Sequence, residues 1–191
     1  MLATAGAAVV ETVVTNVEGY TGPLKLPLVQ LLIISDGRIT HLEVYGNNER
    51  GSQVARPRPV GPKPGPADDA AAVEGVVTAY YAALENKDVA GAAALYSPQV
   101  IFQDTTRIGP AGSTQAAIDG HTGLAAVPDW SLELKSVIGG DGWAVAGWVL
   151  SGTSASGDHK AVPGATVFEV RDGKIVRQTL YYVRGGSPFG S

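Results

Sequence analysis

The chain contains no cysteine and only three histidines, scattered at His41, His121 and His159. Those shortages exclude a disulfide framework, a thiolate metal site and a histidine cluster, so no metal and no cofactor is expected. They also leave the redox compartment undefined. Charge is scarce at 17% of residues, and the formal net charge is -4 with no dense Lys/Arg cluster. Neither nucleic acid nor an anionic membrane is therefore expected as the main partner, which leaves small molecules and proteins. Long apolar runs are missing too. Residues 1–14 lack a basic flank and are interrupted by Glu11, so they read as neither a signal peptide nor a membrane span, and the expected location is the cytoplasm.

At 191 residues and 45% apolar content, the chain is long enough for one full domain plus a smaller unit. Its best-patterned stretch runs from Val73 to Ser113. Val73, Val76, Val77, Tyr80, Tyr81 and Leu84 form a complete apolar stripe at helical spacing, so this helix faces a core. Asp88 stands where an N-cap belongs, and residues 89–96 read as a short second helix that Ser97 and Pro98 stop. In the strand that follows, alternation puts Asp104 on the same side as Val100 and Phe102. A third helix is expected near 113–126, weakened by Gly120 and Gly123. Strands follow near 130–138, 142–153, 160–171 and 174–184. Helices first and a run of strands afterwards is an α+β order.

The sequence also repeats. Shifted by 136 residues, positions 8–47 align without a gap on 144–183, pairing Val9 with Val145, Val13 with Val149, Pro27 with Pro163 and Tyr45 with Tyr181. Asp36-Gly37 falls on Asp172-Gly173, each a tight hairpin between two strands. The first copy has three candidate strands, near 8–18, 24–35 and 38–48, and no helices of its own. Its apolar residues Leu26, Leu28, Leu31, Leu32 and Ile34 must pack elsewhere, so it is expected to dock as a sheet on another sheet, in its own chain or in a second one. Recurrent proline between Arg56 and Pro66 reads as an extended spacer, a docking motif for an SH3-like partner being the alternative. The expected organisation is a partial repeat over 1–50, a linker over 51–67, a complete domain over 68–185 and a tail over 186–191.

The helix-helix-strand stretch and the late strands resemble the NTF2-like superfamily, in its SnoaL-like and ketosteroid-isomerase-like branches. The motifs are Tyr80-x-Ala82-Ala83-Leu84, Asp88-x-x-Gly91, Ala94-Leu95-Tyr96, Phe102-Gln103-Asp104 and Val167 to Val176. The resemblance implies a cone of three helices on a curved antiparallel sheet, preceded here by the closing strands of a partial copy. It also implies a pocket for a small hydrophobic substrate or ligand and a homodimer. The family includes isomerases, cyclases, dehydratases, epoxide-opening enzymes and members without catalysis. Asp104 falls where the isomerase branch carries its base, and Tyr80 where it carries a tyrosine that hydrogen-bonds the substrate oxygen. Thr166 occupies the place of the second donor. The second carboxylate of epoxide-opening members is replaced by Ser131, with Glu133 two residues on.

A carboxylate held in an apolar cavity loses solvation and becomes a competent acid or base. Asp104 fits that position, although an aspartate at a strand end also caps a turn or pairs with Arg107. Tyr80 is either a pocket donor or an ordinary core tyrosine, and His121 either a second acid or base or a structural histidine. Gln178 and Tyr182, alternating away from Arg177 and Tyr181, are expected to line the pocket with Thr166 and Phe102. Trp130, Trp143 and Trp148 read as core or interface. Two functions follow: an isomerase, cyclase or hydratase working by proton transfer through Asp104 on a polycyclic or polyketide-like substrate, or a non-catalytic ligand-binding or dimerisation module.

Overall fold

A computed structural model describes residues 2–4, 6–15, 25–46, 68–105, 112–125, 127–154 and 156–182. The proline-rich stretch within 51–67, Arg107 and the tail 186–191 lie outside the described residues. Four strands come first: β1 (Leu2–Ala3), β2 (Ala7–Thr15), β3 (Lys25–Ser35) and β4 (Arg38–Gly46). Then follow α1 (Ala70–Glu85), α2 (Val89–Ala94), β5 (Tyr96–Asp104), α3 (Thr114–Ala125), β6 (Ser131–Gly140), β7 (Trp143–Thr153), β8 (His159–Arg171) and β9 (Lys174–Tyr182).

Local chemistry sets the boundaries. Asp69 caps α1 by accepting from the Ala72 amide at 2.8 Å, and Asp88 caps α2 through the Gly91 amide at 2.8 Å. A Cβ at Gly91 would lie 2.2 Å from the Asp88 carboxylate, so this cap requires glycine. In both Asp-Gly hairpins the two central residues have positive φ, 52° and 71° at Asp36-Gly37 and 51° and 68° at Asp172-Gly173. Those are the angles of the turn that matches strand twist. The Asp68 carboxylate accepts from the Asp172 and Gly173 amides at 3.2 and 3.0 Å, tying the start of the domain to its last hairpin.

The strands of the larger unit form one sheet in the order β5-β9-β8-β7-β6. The sheet is mixed, which corrects the expectation of an antiparallel one: β5 runs parallel to β9, with Phe102 opposite Gln178 and Asp104 opposite Leu180. No hairpin joins these two strands, and the long connection through α3 and three strands permits the parallel sense. Register shifts at Leu134/Ser136 in β6 and Glu169/Val170 in β8 bend the sheet around α1. The stripe of α1 buries Val73, Val77, Tyr80, Tyr81 and Leu84 against Ala144, Ala146, Trp148, Phe168 and Val170. Each such large side chain contributes roughly 1.5–3 kcal/mol on burial. Trp148 lies across Gly164, its register partner, where a Cβ would come within 2.3 Å of the indole. That close approach fixes the ring as a wall on the inner side of the cone.

The first unit is a sheet in the order β1-β2-β3-β4, and it packs on the outer face of the larger sheet. Val9, Val29 and Leu31, with Ile33 and Tyr45 alongside, meet Trp143, Val145, Ala165, Val167 and Tyr181. Residues that the sequence pairs at a spacing of 136, such as Val9 with Val145 and Leu31 with Val167, share this one cluster. At its edge Glu11 accepts from Arg177 Nη2 at 2.6 Å and Nη1 at 3.1 Å, and from the Tyr181 hydroxyl at 2.7 Å. The face that docks differs in part from the one expected. β3 is apolar on both sides, and alternation puts Val29 and Leu31 inward while Leu28, Leu32 and Ile34 stay half-buried on the opposite side, where Leu42 and Val44 are exposed. Period-two patterning cannot choose a face when both are apolar.

Candidate active site

Inside the cone is a cavity of about 310 Å³ between α1, α3 and the concave face of the sheet. The seven residues singled out from the sequence, Tyr80, Phe102, Asp104, His121, Thr166, Gln178 and Tyr182, all line it. Tyr80 reaches it from the stripe of α1. Phe102 and Asp104 come from the inward face of β5, Thr166 from β8, and Gln178 and Tyr182 from β9. His121 enters from α3, next to Gly120 and Gly123, which line the cavity as well.

Asp104 is 6% exposed, and its Oδ2 accepts from the Tyr182 hydroxyl at 3.1 Å. The other carboxylate of the lining, Asp119 on α3, is exposed and accepts from the Gln115 side chain at 2.7 Å. Ser131 and Glu133 are both exposed on β6, where Glu133 pairs with Lys135, while Leu132 between them turns into the cavity. Glu133 therefore does not supply a second wall carboxylate. Alternation along β6 places it on the opposite face from Leu132.

Two hydrogen-bonded clusters face Asp104's cavity. In the first, the Trp148 indole N–H donates to Thr166 Oγ1 at 2.8 Å and the Tyr81 hydroxyl donates to the same oxygen at 3.1 Å. Tyr81 and Thr166 have two hydroxyl protons between them, and their mutual bond uses one. The other is left for a ligand acceptor. The second cluster joins Tyr80, Tyr96, His121 and Gln178. Tyr80 Oη lies 2.9 Å from His121 Nε2, and Tyr96 Oη lies 3.0 Å from the same nitrogen. Gln178 Nε2 donates to Tyr80 Oη at 2.9 Å, and Tyr96 donates to Gln178 Oε1.

Burial decides the charge states. Desolvation pushes the Tyr80 phenol up to about 12 and the Tyr81 and Tyr96 phenols well above their ordinary value, so all three stay protonated near neutral pH. The same cause pushes His121 down to about 4, and it is neutral at pH 7. A neutral buried histidine has a consequence for stability. Between about pH 6.5 and about 4 the unfolded chain takes up a proton that the folded chain refuses, so stability falls as pH drops through that window and levels off below it. His121→Gln is expected to remove about 2 kcal/mol of that decline between pH 7 and 4.5, the part of the lowered affinity for the proton that this interval spans. Urea unfolding of both proteins at pH 7 and 4.5 checks it, and equal slopes would refute it.

Gly120 and Gly123 open the α3 side. A methyl at either position would meet nothing within 4 Å, so Gly123→Ala is expected to stabilise the protein by about 1 kcal/mol. A urea midpoint unchanged from wild type would contradict this.

Sequence reasoning passed over Tyr81, Tyr96, Asp119 and the cavity role of Trp148. Tyr81 was on the α1 stripe, and Trp148 alternates with the inward-facing Ala146 and Leu150, so both had a legible signal. Tyr96, at the end of the helix expected over 89–96, instead opens β5. Trp130 is in the core and Trp143 in the interface between the sheets. Among the described residues no group of three His, Cys, Asp or Glu side chains converges as a metal site, and no helix is long and apolar enough to cross a membrane.

A curved sheet closed by helices over a cavity with one buried carboxylate and several hydroxyl donors defines a cone of the NTF2-like type. The sequence profile of the SnoaL-like domain matches residues 77–178, more than half of the chain, and the chain belongs to that family. Among curated proteins no relative matches it by sequence. Solved structures share the fold. A protein named as a candidate polyketide cyclase from Xanthomonas campestris pv. campestris is 24% identical over 60% of this chain and 93% of its own, with a TM-score of 0.51. One named as a candidate ketosteroid isomerase from Kribbella flavida is 18% identical over 59% and 78%, with a TM-score of 0.51. TerC, co-crystallised with polyporic acid, is 17% identical over 58% and 91%, with a TM-score of 0.50.

Proposed function

We propose that the protein is an enzyme of the isomerase or cyclase type, acting by proton transfer through Asp104 on a hydrophobic, polycyclic or polyketide-like carbonyl compound. The observation that carries this reading is the buried Asp104 carboxylate, facing the same cavity as two separate hydroxyl donor groups. Asp104 takes a proton from the carbon beside a carbonyl, and the C–H electron pair moves into an enolate. Tyr80 and the Tyr81–Thr166 pair hold the enolate oxygen, in a site where fixed donors are worth more than in water. In a β,γ-unsaturated ketone, protonated Asp104 returns the proton at the far carbon of the dienolate, which isomerises the substrate; alternatively the enolate carbon attacks a second carbonyl and closes a ring, and the alkoxide that forms takes the proton back from Asp104. Tyr182 holds the carboxylate, while Phe102, Leu132, Trp148 and Leu150 supply the apolar walls. Relatives of the same fold named as a polyketide cyclase and a ketosteroid isomerase, and one crystallised with polyporic acid, agree with this substrate class.

The second reading is a ligand-binding module without catalysis, favoured by the absence of a second wall carboxylate at Ser131 and Glu133. The two separate on 2-tetralone, a flat bicyclic ketone with acidic α-hydrogens. Enzyme-dependent exchange of those hydrogens in D2O, followed by proton NMR, is expected on the first reading. Saturable binding without exchange would leave the second.

A further inference from the structure

In the cluster of Tyr80, Tyr96, His121 and Gln178 the hydroxyl and ring protons can be traced bond by bond. Among the described residues none of the four side chains has a hydrogen-bond partner outside the cluster, and all are buried, at 1%, 5%, 5% and 1% exposure. Gln178 Oε1 is an acceptor only, and Tyr96 is its partner, so the Tyr96 proton belongs there. Gln178 Nε2 in turn donates to the Tyr80 oxygen. The second Nε2 proton of Gln178 finds no acceptor within the cluster, and what remains to be placed is one proton on Tyr80 and one on neutral His121.

Two arrangements bond Tyr80 and His121 to each other. With the ring proton on Nδ1, Nε2 is an acceptor, and Tyr80 donates its proton to it across 2.9 Å. Tyr80 then has nothing for a ligand. His121 Nδ1 is not among the buried atoms left without a partner, so water reaches the ring proton there. With the ring proton on Nε2, both His121 and Gln178 donate to the Tyr80 oxygen and fill its lone pairs. The Tyr80 proton then turns to the cavity or to the Tyr96 oxygen 3.2 Å away, and a ligand acceptor competes for it there.

We propose that the tautomer of His121 governs whether Tyr80 offers a hydrogen bond, so that a ligand carrying an acceptor oxygen binds at Tyr80 together with a change of the histidine proton from Nδ1 to Nε2. His121, Gln178 and Tyr96 are in this sense positioning residues. The change is neutral in charge: Nδ1 gives one proton to solvent, and Nε2 takes one from solvent that enters the cavity. The preferred ligand oxygen is an acceptor without a proton of its own, a ketone or an enolate rather than a hydroxyl that must donate. This inference rests on the reading of Tyr80 as the donor to the substrate oxygen.

The test is nitrogen NMR on protein labelled with 15N in histidine at pH 7, with His121 assigned by its loss in His121→Gln. The free protein is expected to have its ring proton on Nδ1, and protein saturated with 2-tetralone to have it on Nε2. In Tyr80→Phe the tautomer is expected to stop responding to the probe, and the probe to bind about tenfold more weakly. The same tautomer with and without bound probe, or an unaltered response in Tyr80→Phe, would overturn the inference. A tautomer change without α-hydrogen exchange retires the proton-transfer function and leaves this inference standing. Exchange with a fixed tautomer does the reverse.

Discussion

Glu11→Ala is expected to destabilise the protein by about 3 kcal/mol, the lower end of the range for removing one partner of a buried ion pair. Arg177 is 3% exposed and sits between the two sheets. Glu11 receives two of its N–H groups, and Glu169 accepts from Nε at 2.8 Å while Thr179 accepts from Nη1 at 3.0 Å. Without Glu11 the guanidinium keeps the Glu169 contact, which places the loss at the lower end. Tyr181 loses its bond to Glu11 as well. The cost falls on the seam that attaches β1–β4 to the domain, so the smaller sheet should detach before the domain unfolds. Trp143 lies in that seam, and its fluorescence should shift to the red at lower urea than the loss of helical circular dichroism. A variant within 0.5 kcal/mol of wild type, with both signals still coincident, would mean that the ion pair contributes little and that the apolar cluster alone holds the sheets together.

That seam also marks where sequence reasoning stopped. The α1 stripe, the Asp88 cap and the Asp-Gly turns were legible because each rests on local chemistry within a few residues. The strands of both units were legible through alternation. Docking of the smaller sheet followed from apolar residues with no helices to cover them. The docking face did not, since β3 carries Val29 and Leu31 on one side and Leu28 and Leu32 on the other, and Arg177, which meets Glu11 on the docked side, lies far along the chain. The parallel pairing of β5 with β9 was hidden for the same reason: nothing local fixes the sense of strands joined by a long connection.

The cavity divides in a similar way. Asp104, Tyr80 and Gln178 could be assigned to an inward face from the period of their own strand or helix. The hydrogen bonds among them could not, because Tyr96, His121 and Gln178 come from three elements whose approach is a property of the packed domain. Asp119 escaped notice beside Gly120, in a helix whose glycines weaken the pattern that would have oriented it.

The largest effect expected on function is that of Asp104→Asn. The amide keeps the shape of the carboxylate and a hydrogen bond with Tyr182 but cannot accept a proton, so folding and binding are expected to persist while proton transfer is lost. General acid-base groups supply about 10²–10⁴ in rate, and the variant should fall by a factor in that range. The most direct measurement follows α-hydrogen exchange of 2-tetralone in D2O with wild type and Asp104→Asn side by side, with binding of the ketone titrated in the same samples. The account predicts equal binding and an exchange rate reduced about 10²–10⁴-fold in the variant; equal exchange rates in the two proteins would contradict it.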